Sequence, residues 1–304
     1  EWKTKRWSLL IGGRFDKHNL VDHVIFSPRA NIRFNPSEAV NLRVSYAGGY
    51  RAPQAFDEDM HIAVVGGKRV RIRLADDLKE ERSHSVSLSA DLYHNFGRVQ
   101  TNLLVEGFYT ILDDVFALRD LEDTDDGGKI KERYNGSGAA VRGFNVEGRA
   151  IFTRWFELQA GVTLQQSRYK EPEQWSEDAD VPPVRRMFRT PDAYGYFTAS
   201  FKPVRNFTAD LTGTCTGSML VQHMAGSGVA QDAAVSTPSF FDMNVRLSYD
   251  LRIYKEITLQ LYGGVQNLFN AYQKDFDKGA DRDSGYIYGP SLPRSWFVGA
   301  KFSF

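Results

Sequence analysis

The chain closes on Trp296-Phe297-Val298-Gly299-Ala300-Lys301-Phe302-Ser303-Phe304. Side chains alternate across a β-strand, so Trp296, Val298, Ala300, Phe302 and Phe304 share one face, while Phe297, Gly299, Lys301 and Ser303 share the other. A soluble domain seldom ends on such a strand with a bare aromatic at its tip. A strand with hydrocarbon on one side and an aromatic at the membrane interface has this form. The fold therefore turns on whether the pattern recurs upstream.

It recurs in about a dozen segments with a period of two. Trp7, Leu9, Ile11 and Phe15 alternate with Arg6, Ser8, Gly12 and Arg14, with Leu10 the exception. Val86, Leu88, Ala90 and Leu92 oppose Ser85, Ser87, Ser89 and Asp91. Phe241, Met243, Val245, Leu247 and Tyr249 oppose Asp242, Asn244, Arg246, Ser248 and Asp250. The parity of the segment at Phe207 puts Cys215 with Ala209, Leu211 and Gly213, and Gly213 and Gly217 are candidates for a bulge.

The connections alternate in length. Short turns fall near 35–38, 94–97, 153–155, 203–206 and 252–256, and long polar loops fill 49–80, 119–130, 170–190, 222–238 and 272–291. Short turns on one side and long loops on the other are the layout of an outer-membrane barrel. The expected fold is all-β, a transmembrane antiparallel β-barrel. A soluble β-sandwich also alternates, but charges such as Asp242, Arg246 and Asp250 on one strand suit a wet lumen better.

Composition agrees. Lys+Arg and Asp+Glu number 38 each, so no charge excess points to nucleic acid. The one cysteine excludes an internal disulfide and a cysteine-based metal site. Mean hydropathy is −0.41, and no stretch approaches the ~18 apolar residues of a membrane helix. Strands escape that limit, since only alternate residues meet lipid. The 21 Phe, 14 Tyr and 5 Trp suit aromatic girdles or a large sandwich.

Several stretches resemble TonB-dependent outer-membrane receptors. Tyr50-Arg51-Ala52-Pro53 is similar to that family's Tyr-Arg-Ala-Pro box, and Asn267-Leu268-Phe269-Asn270 to its Asn-Leu-Phe-Asp/Asn segment. Arg142-Gly143-Phe144-Asn145-Val146-Glu147 resembles its Arg-Gly-hydrophobic-Glu strand, and Glu80-Glu81-Arg82-Ser83 sits where it carries Lys-Pro-Glu-Lys-Ser, here without the proline. The wording is most like receptors of Bacteroides-like bacteria. The resemblance implies a barrel of ~22 strands plugged by an amino-terminal globular domain. Residues 1–304 are therefore expected to be the carboxyl-terminal portion of that barrel, about twelve strands, with the plug domain and TonB box absent from this stretch. Implied partners are the remaining barrel strands and plug, TonB acting through the plug, outer-membrane lipid and a scarce metal chelate; nucleic acid is not among them.

Candidate chemistry sits on the long loops. Asp57, Glu58, Asp59 and His61 bring three carboxylates and an imidazole together just after Arg51. They suit Ca²⁺, contact with a metal chelate, or plain solvation of an acidic loop. Asp123-Thr124-Asp125-Asp126-Gly127-Gly128 resembles a calcium loop without the bidentate Glu, which makes it a polar turn. Asn135-Gly136-Ser137-Gly138 falls within a strand pattern and precedes no helix, so a phosphate cradle is not expected. Arg185-Arg186 and Tyr286-Ile287-Tyr288 suit either ligand capture or packing of loops over the mouth. The expected ligand-binding set is Arg51, Asp57, Glu58, Asp59, His61, Tyr286 and Tyr288, with Arg51 alternatively a structural ion pair. No catalytic motif, resident metal or cofactor is expected, Ca²⁺ on those loops excepted. The resemblance implies an active importer, with an iron–siderophore chelate as leading ligand and cobalamin or haem behind. His61 bears on haem, but the family's Asn-Pro-Asn-Leu motif is missing. A passive pore and an outer-membrane enzyme are the alternatives from other classes.

Overall fold

The structure is a computed structural model describing residues 1–54, 70–123, 129–176 and 178–304. Its main sheet is antiparallel throughout and runs in one path. In order it comprises β1 (Trp2–Lys3), β2 (Trp7–Asp16), β3 (Ile25–Ser37), β4 (Val40–Arg51), β6 (Glu81–Phe96), β7 (Val99–Asp113), β10 (Ala139–Thr153) and β11 (Phe156–Glu173). It continues through β13 (Ala193–Phe201), β14 (Phe207–Thr216), β17 (Phe240–Tyr254), β18 (Ile257–Gln266) and β19 (Ser295–Ser303), with β12 (Val184–Arg186) pairing β11 off the path. Two satellites lie in the long loops: β5 (Val70–Leu74) with β8 (Phe116–Asp123) and β9 (Lys129–Asn135), and the hairpin β15 (Leu220–His223) with β16 (Ala233–Ser236). Twelve long strands among the described residues match the number expected from alternation, and strands reaching 18 residues exceed the ~5–6 usual in globular sheets.

The pairing register shows why the alternation matters. Leu9, Ile32, Val44, Leu88, Gly107, Phe144 and Leu164 are successive Cα partners across seven strands, forming an apolar row. One residue away, Ser8, Arg33, Arg43, Ser89, Glu106, Asn145, Thr163 and Tyr194 form a polar row. Apolar and polar rows thus share every strand but never a face. Outward side chains have no protein over them: Ile11 is 70%, Phe144 64% and Leu88 61% exposed. A soluble sandwich would bury such a face, so the sandwich alternative fails.

On the inner face, polar groups bond across strands. Asn31 donates to Ser45 at 2.7 Å, Thr163 to Asn145 at 2.8 Å, Ser200 to Asp210 at 2.7 Å and Gln260 to Asp250 at 2.8 Å. Each pair contributes roughly 0.2–1 kcal/mol while leaving the face wet. Arg246 stacks 4.8 Å from the Tyr262 ring centroid and donates to Gln260.

Short turns and long loops fall on opposite ends as expected. The two-residue turn Gly97-Arg98 uses φ = 64° at Gly97, where a glycine has no Cβ to strain. Two sequence expectations are corrected. No bulge occurs at Gly213, because β14 keeps continuous register with both neighbours; irregularities lie instead beside short turns, between Phe34 and Ser37 and between Arg252 and Tyr254. Gly136–Gly138, after the last residue of β9, also does not continue a strand. Gly138 has φ = 87°, and a Cβ there would sit 2.4 Å from the Leu112 carbonyl oxygen, so the chain breaks between β9 and β10.

Two measurements check the facing. Val245 lies on the outward row, between Leu211 and Val265; Val245→Arg is expected to cost roughly 2–4 kcal/mol in denaturant titrations of the folded barrel, the range for arginine near the bilayer midplane. Cys215 is exposed and shares its face with Gly195 and Phe241. In intact membranes a lipophilic maleimide should label it faster than a hydrophilic one; the reverse order would mean a one-residue slip in register.

Candidate functional site

The long-loop end carries packed structure of its own, built where strands stop. At the end of β18, Asn267 takes φ = 49° and turns the chain out of the sheet. Asparagine tolerates this left-handed region better than most residues. Its backbone N–H donates to Asn244 Oδ1 at 2.9 Å, and its side-chain nitrogen to the carbonyls of Ala271 and Leu292 at 3.0 and 2.8 Å. Asn270, at φ = 55°, accepts from the Arg294 backbone N–H at 2.9 Å. The Asn-Leu-Phe-Asn segment therefore staples both ends of the 267–294 loop.

Inside that loop Tyr286 and Tyr288 are buried, 3% and 7% exposed, in a small core with Val221 and Phe240. Both hydroxyls donate to Asp275, at 2.9 and 2.6 Å. The His223 ring stacks on Tyr286 with centroids 3.6 Å apart, and its Nε2 lies 3.0 Å from Asp277. Buried Gln273 donates to the Tyr286 carbonyl and accepts from the Tyr288 N–H. Loop packing, rather than an exposed pair of rings, is what the structure builds at Tyr286 and Tyr288, while Ile287 between them points outward at 57% exposure. Arg189 reinforces the arrangement by donating to the carbonyls of Ile287 and Gly285. Arg186 pairs with Asp192 at 3.1 Å.

A second cluster closes the loop between β2 and β3. The Glu80 carboxylate is 2% exposed and lies 3.0 Å from His23 Nε2 and 2.7 Å from Arg82 Nε. Burial pushes the Glu80 carboxyl up, but Arg82, its own backbone and His23 together hold it below the usual carboxylate range. Hydrogen bonding to Asp22 and then Glu80 raises His23. Next along, Arg51 Nη1 stands 4.0 Å from Glu81 Oε2 and its guanidinium lies 5.4 Å from the Phe116 ring centroid, while Glu81 also accepts from the Phe116 N–H. Arg51 thus stands at the outer limit of ion-pair distance from Glu81, with its side chain still partly exposed.

The structure brings Tyr286 and Tyr288 together, and separately ties Arg51 to β6. Between β4 and β18 in the sheet stand β6, β7, β10, β11, β13, β14 and β17. Asp57, Glu58, Asp59 and His61 lie outside the described residues, as does most of the Asp123–Gly128 stretch. Among the described residues no group of three His, Cys, Asp or Glu side chains is placed to hold a metal ion. Sequence reasoning missed the Asp275, Asp277 and His223 network. Its one signal was spacing: Asp275 and Asp277, like Tyr286 and Tyr288, stand two apart in one polar loop.

The chain belongs to the TonB dependent receptor-like β-barrel family, whose family model matches residues 1–268. Members of this family are proteins of the bacterial outer membrane, and the wall described above is part of such a barrel. Among solved structures, a mutant of the ferric enterobactin receptor PfeA of Pseudomonas aeruginosa is similar at TM-score 0.68 and 16% identity, over 98% of this chain and 42% of that one. The FrpB iron transporter of Neisseria meningitidis gives 0.65 and 15%, over 98% and 43%. The ferric-catecholate import receptor Fiu of E. coli K12 gives 0.60 and 17%, over 91% and 35%. The chain therefore spans less than half the length of these structures. No curated protein matches it.

The tyrosine core generates a prediction. Burial opposes charge on Asp275, but the hydroxyls of Tyr288 and Tyr286, its own backbone and Gln273 outweigh it and hold the carboxyl below the usual range. A carboxyl lowered on folding adds stability above its unfolded pKa and loses it as pH falls through the folded value. Protection factors across 273–288, with exchange rates corrected for their intrinsic pH dependence, are expected to fall on acidification through and below the usual carboxylate range. Asp275→Ala should bring faster exchange at neutral pH, by about fivefold, the scale of a ~1 kcal/mol hydrogen-bond loss, with the sheet amides unchanged.

Proposed function

We propose that this chain forms part of the wall and the extracellular mouth of an active outer-membrane importer for a scarce metal chelate, with iron–siderophore complexes as the leading ligand class. The observation that carries this reading is the combination of a family barrel wall with loops that fold into their own cores at one end only. The similar structures, a ferric enterobactin receptor, an iron transporter and a ferric-catecholate import receptor, support iron over cobalamin or haem. In the full receptor a plug would fill the lumen, with TonB supplying inner-membrane energy through it.

Within the mouth, Arg51 and the Asp57, Glu58, Asp59 and His61 stretch are proposed to border the ligand. Tyr286 and Tyr288 contribute by shaping the 267–294 loop and turning Ile287 outward. The full-length receptor gene provides the test. A deletion strain should fail to grow on ferric siderophores as sole iron source and recover with the intact gene. Substituting Asp57, Asp59 and His61 together by Ala should weaken chelate binding at least about fivefold, the scale of an interface contact worth more than ~1 kcal/mol, with heat-resistant barrel assembly retained. Growth defects confined to cobalamin limitation would redirect the ligand assignment. Unchanged binding would make the cluster a solvated loop, and lost assembly would make it structural.

A further inference from the structure

The outward wall holds a feature that import does not use. Across β6, β7, β10 and β11, Val86, Tyr109, Arg142 and Gln166 are successive partners in one row. The next outward row toward the short turns is Leu88, Gly107, Phe144 and Leu164. Gly107 leaves the wall dented between larger neighbours, and a groove of about 700 Å³ results, lined by Leu88, Phe144 and Leu164 below and Tyr109, Arg142 and Gln166 above. One row further toward the long loops stands Arg168, opposite Ala140.

The two arginines are exposed on a face that elsewhere meets hydrocarbon. Arg142 Nε and Nη2 both donate to Gln166 Oε1, at 3.2 and 2.8 Å, which orients the guanidinium without neutralising it. Among the described residues neither Arg142 nor Arg168 has a carboxylate at ion-pair distance, whereas nearby Lys170 is paired with Asp113 and Arg186 with Asp192. Arginines at a membrane boundary commonly snorkel to water, which accounts for Arg168 alone. It does not account for a guanidinium fixed at the head of an apolar groove. Long loops are extracellular in barrels of this kind, so the row lies at the outer leaflet. Arg recognises phosphate with paired N–H groups, and the groove below offers apolar surface along the direction of an acyl chain.

We propose that this groove binds one phosphorylated, acylated lipid of the outer leaflet, with an acyl chain over Gly107 between Leu88, Phe144 and Leu164 and its phosphate on Arg142 and Arg168.

The test uses the full-length receptor in mild detergent, probed by native mass spectrometry with diphosphorylated lipid A and with the same lipid after phosphatase treatment. The phosphorylated form is expected to bind and the dephosphorylated form to bind weakly. Arg142→Gln with Arg168→Gln should weaken binding of the phosphorylated form roughly twenty- to thirtyfold, from ~1 kcal/mol per basic residue near an anionic surface. Gly107→Leu offers a charge-neutral arm: a Cβ there presses on Phe144 Cε1 at 3.3 Å, so the added side chain displaces that ring within the groove lining and should weaken binding severalfold. Arg205→Ala with Lys255→Ala, on the short turns, should change nothing. Wild-type binding by the double arginine variant or by Gly107→Leu overturns the proposal, as does equal binding of the dephosphorylated lipid. The lipid comparison on the unaltered receptor decides the matter even where a variant fails to assemble.

Discussion

A strand crossing hydrocarbon finds no water for its backbone N–H and C=O groups, so neighbouring strands must accept and donate them all. Everything else in this wall follows from that demand. Continuous ladders tie Val44 to Leu88 and Phe144 to Leu164, and thereby also Arg43 to Ser89 and Asn145 to Thr163. Two incompatible solvents are separated by a single residue step. A slip of one position would turn Glu106 and Asn145 toward lipid together, which is why long strands hold their register through the span and their register shifts fall near strand ends, beside short turns and at the long-loop end of β11.

The same demand explains how so few identities preserve the shape. At 16% identity the path of this chain still follows the ferric enterobactin receptor at TM-score 0.68. Ladders are made by backbone atoms, and the faces ask only for apolar or polar character at alternate positions. Few side chains are individually indispensable to the wall. Those that are stand where regular structure stops: Asn267, which leaves the sheet in a left-handed conformation, and Glu80, whose buried carboxylate gathers His23 and Arg82.

Beyond the strand ends, water returns and ordinary folding rules apply. The loops bury small apolar groups and satisfy polar ones locally, as Tyr286, Tyr288, Asp275 and Gln273 do. The two regimes meet along the row holding Tyr109 and Arg142, where the belt gives way to polar groups. Arg142 stands at that boundary with its guanidinium oriented by Gln166.

The sequence alone determined the wall. Period-two alternation in segments such as Ser85–Leu92 and Phe241–Asp250, with connections short on one side and long on the other, specified strand number, facing and the end that carries the loops. Those signals are local, because a strand's two faces are written in consecutive residues. Tertiary structure alone decided the rest. Tyr286 and Tyr288 were legible as loop aromatics, but their burial depends on His223 and Phe240, which lie 46 or more positions earlier in the chain. Arg51 was legible as a charged residue at a loop edge, and its pairing with Glu81 depends on how β4 meets β6. The groove over Gly107 involves four strands, and no single stretch of sequence contains it. Contacts between distant segments are set by packing, and packing leaves no period in the chain for a reader to find.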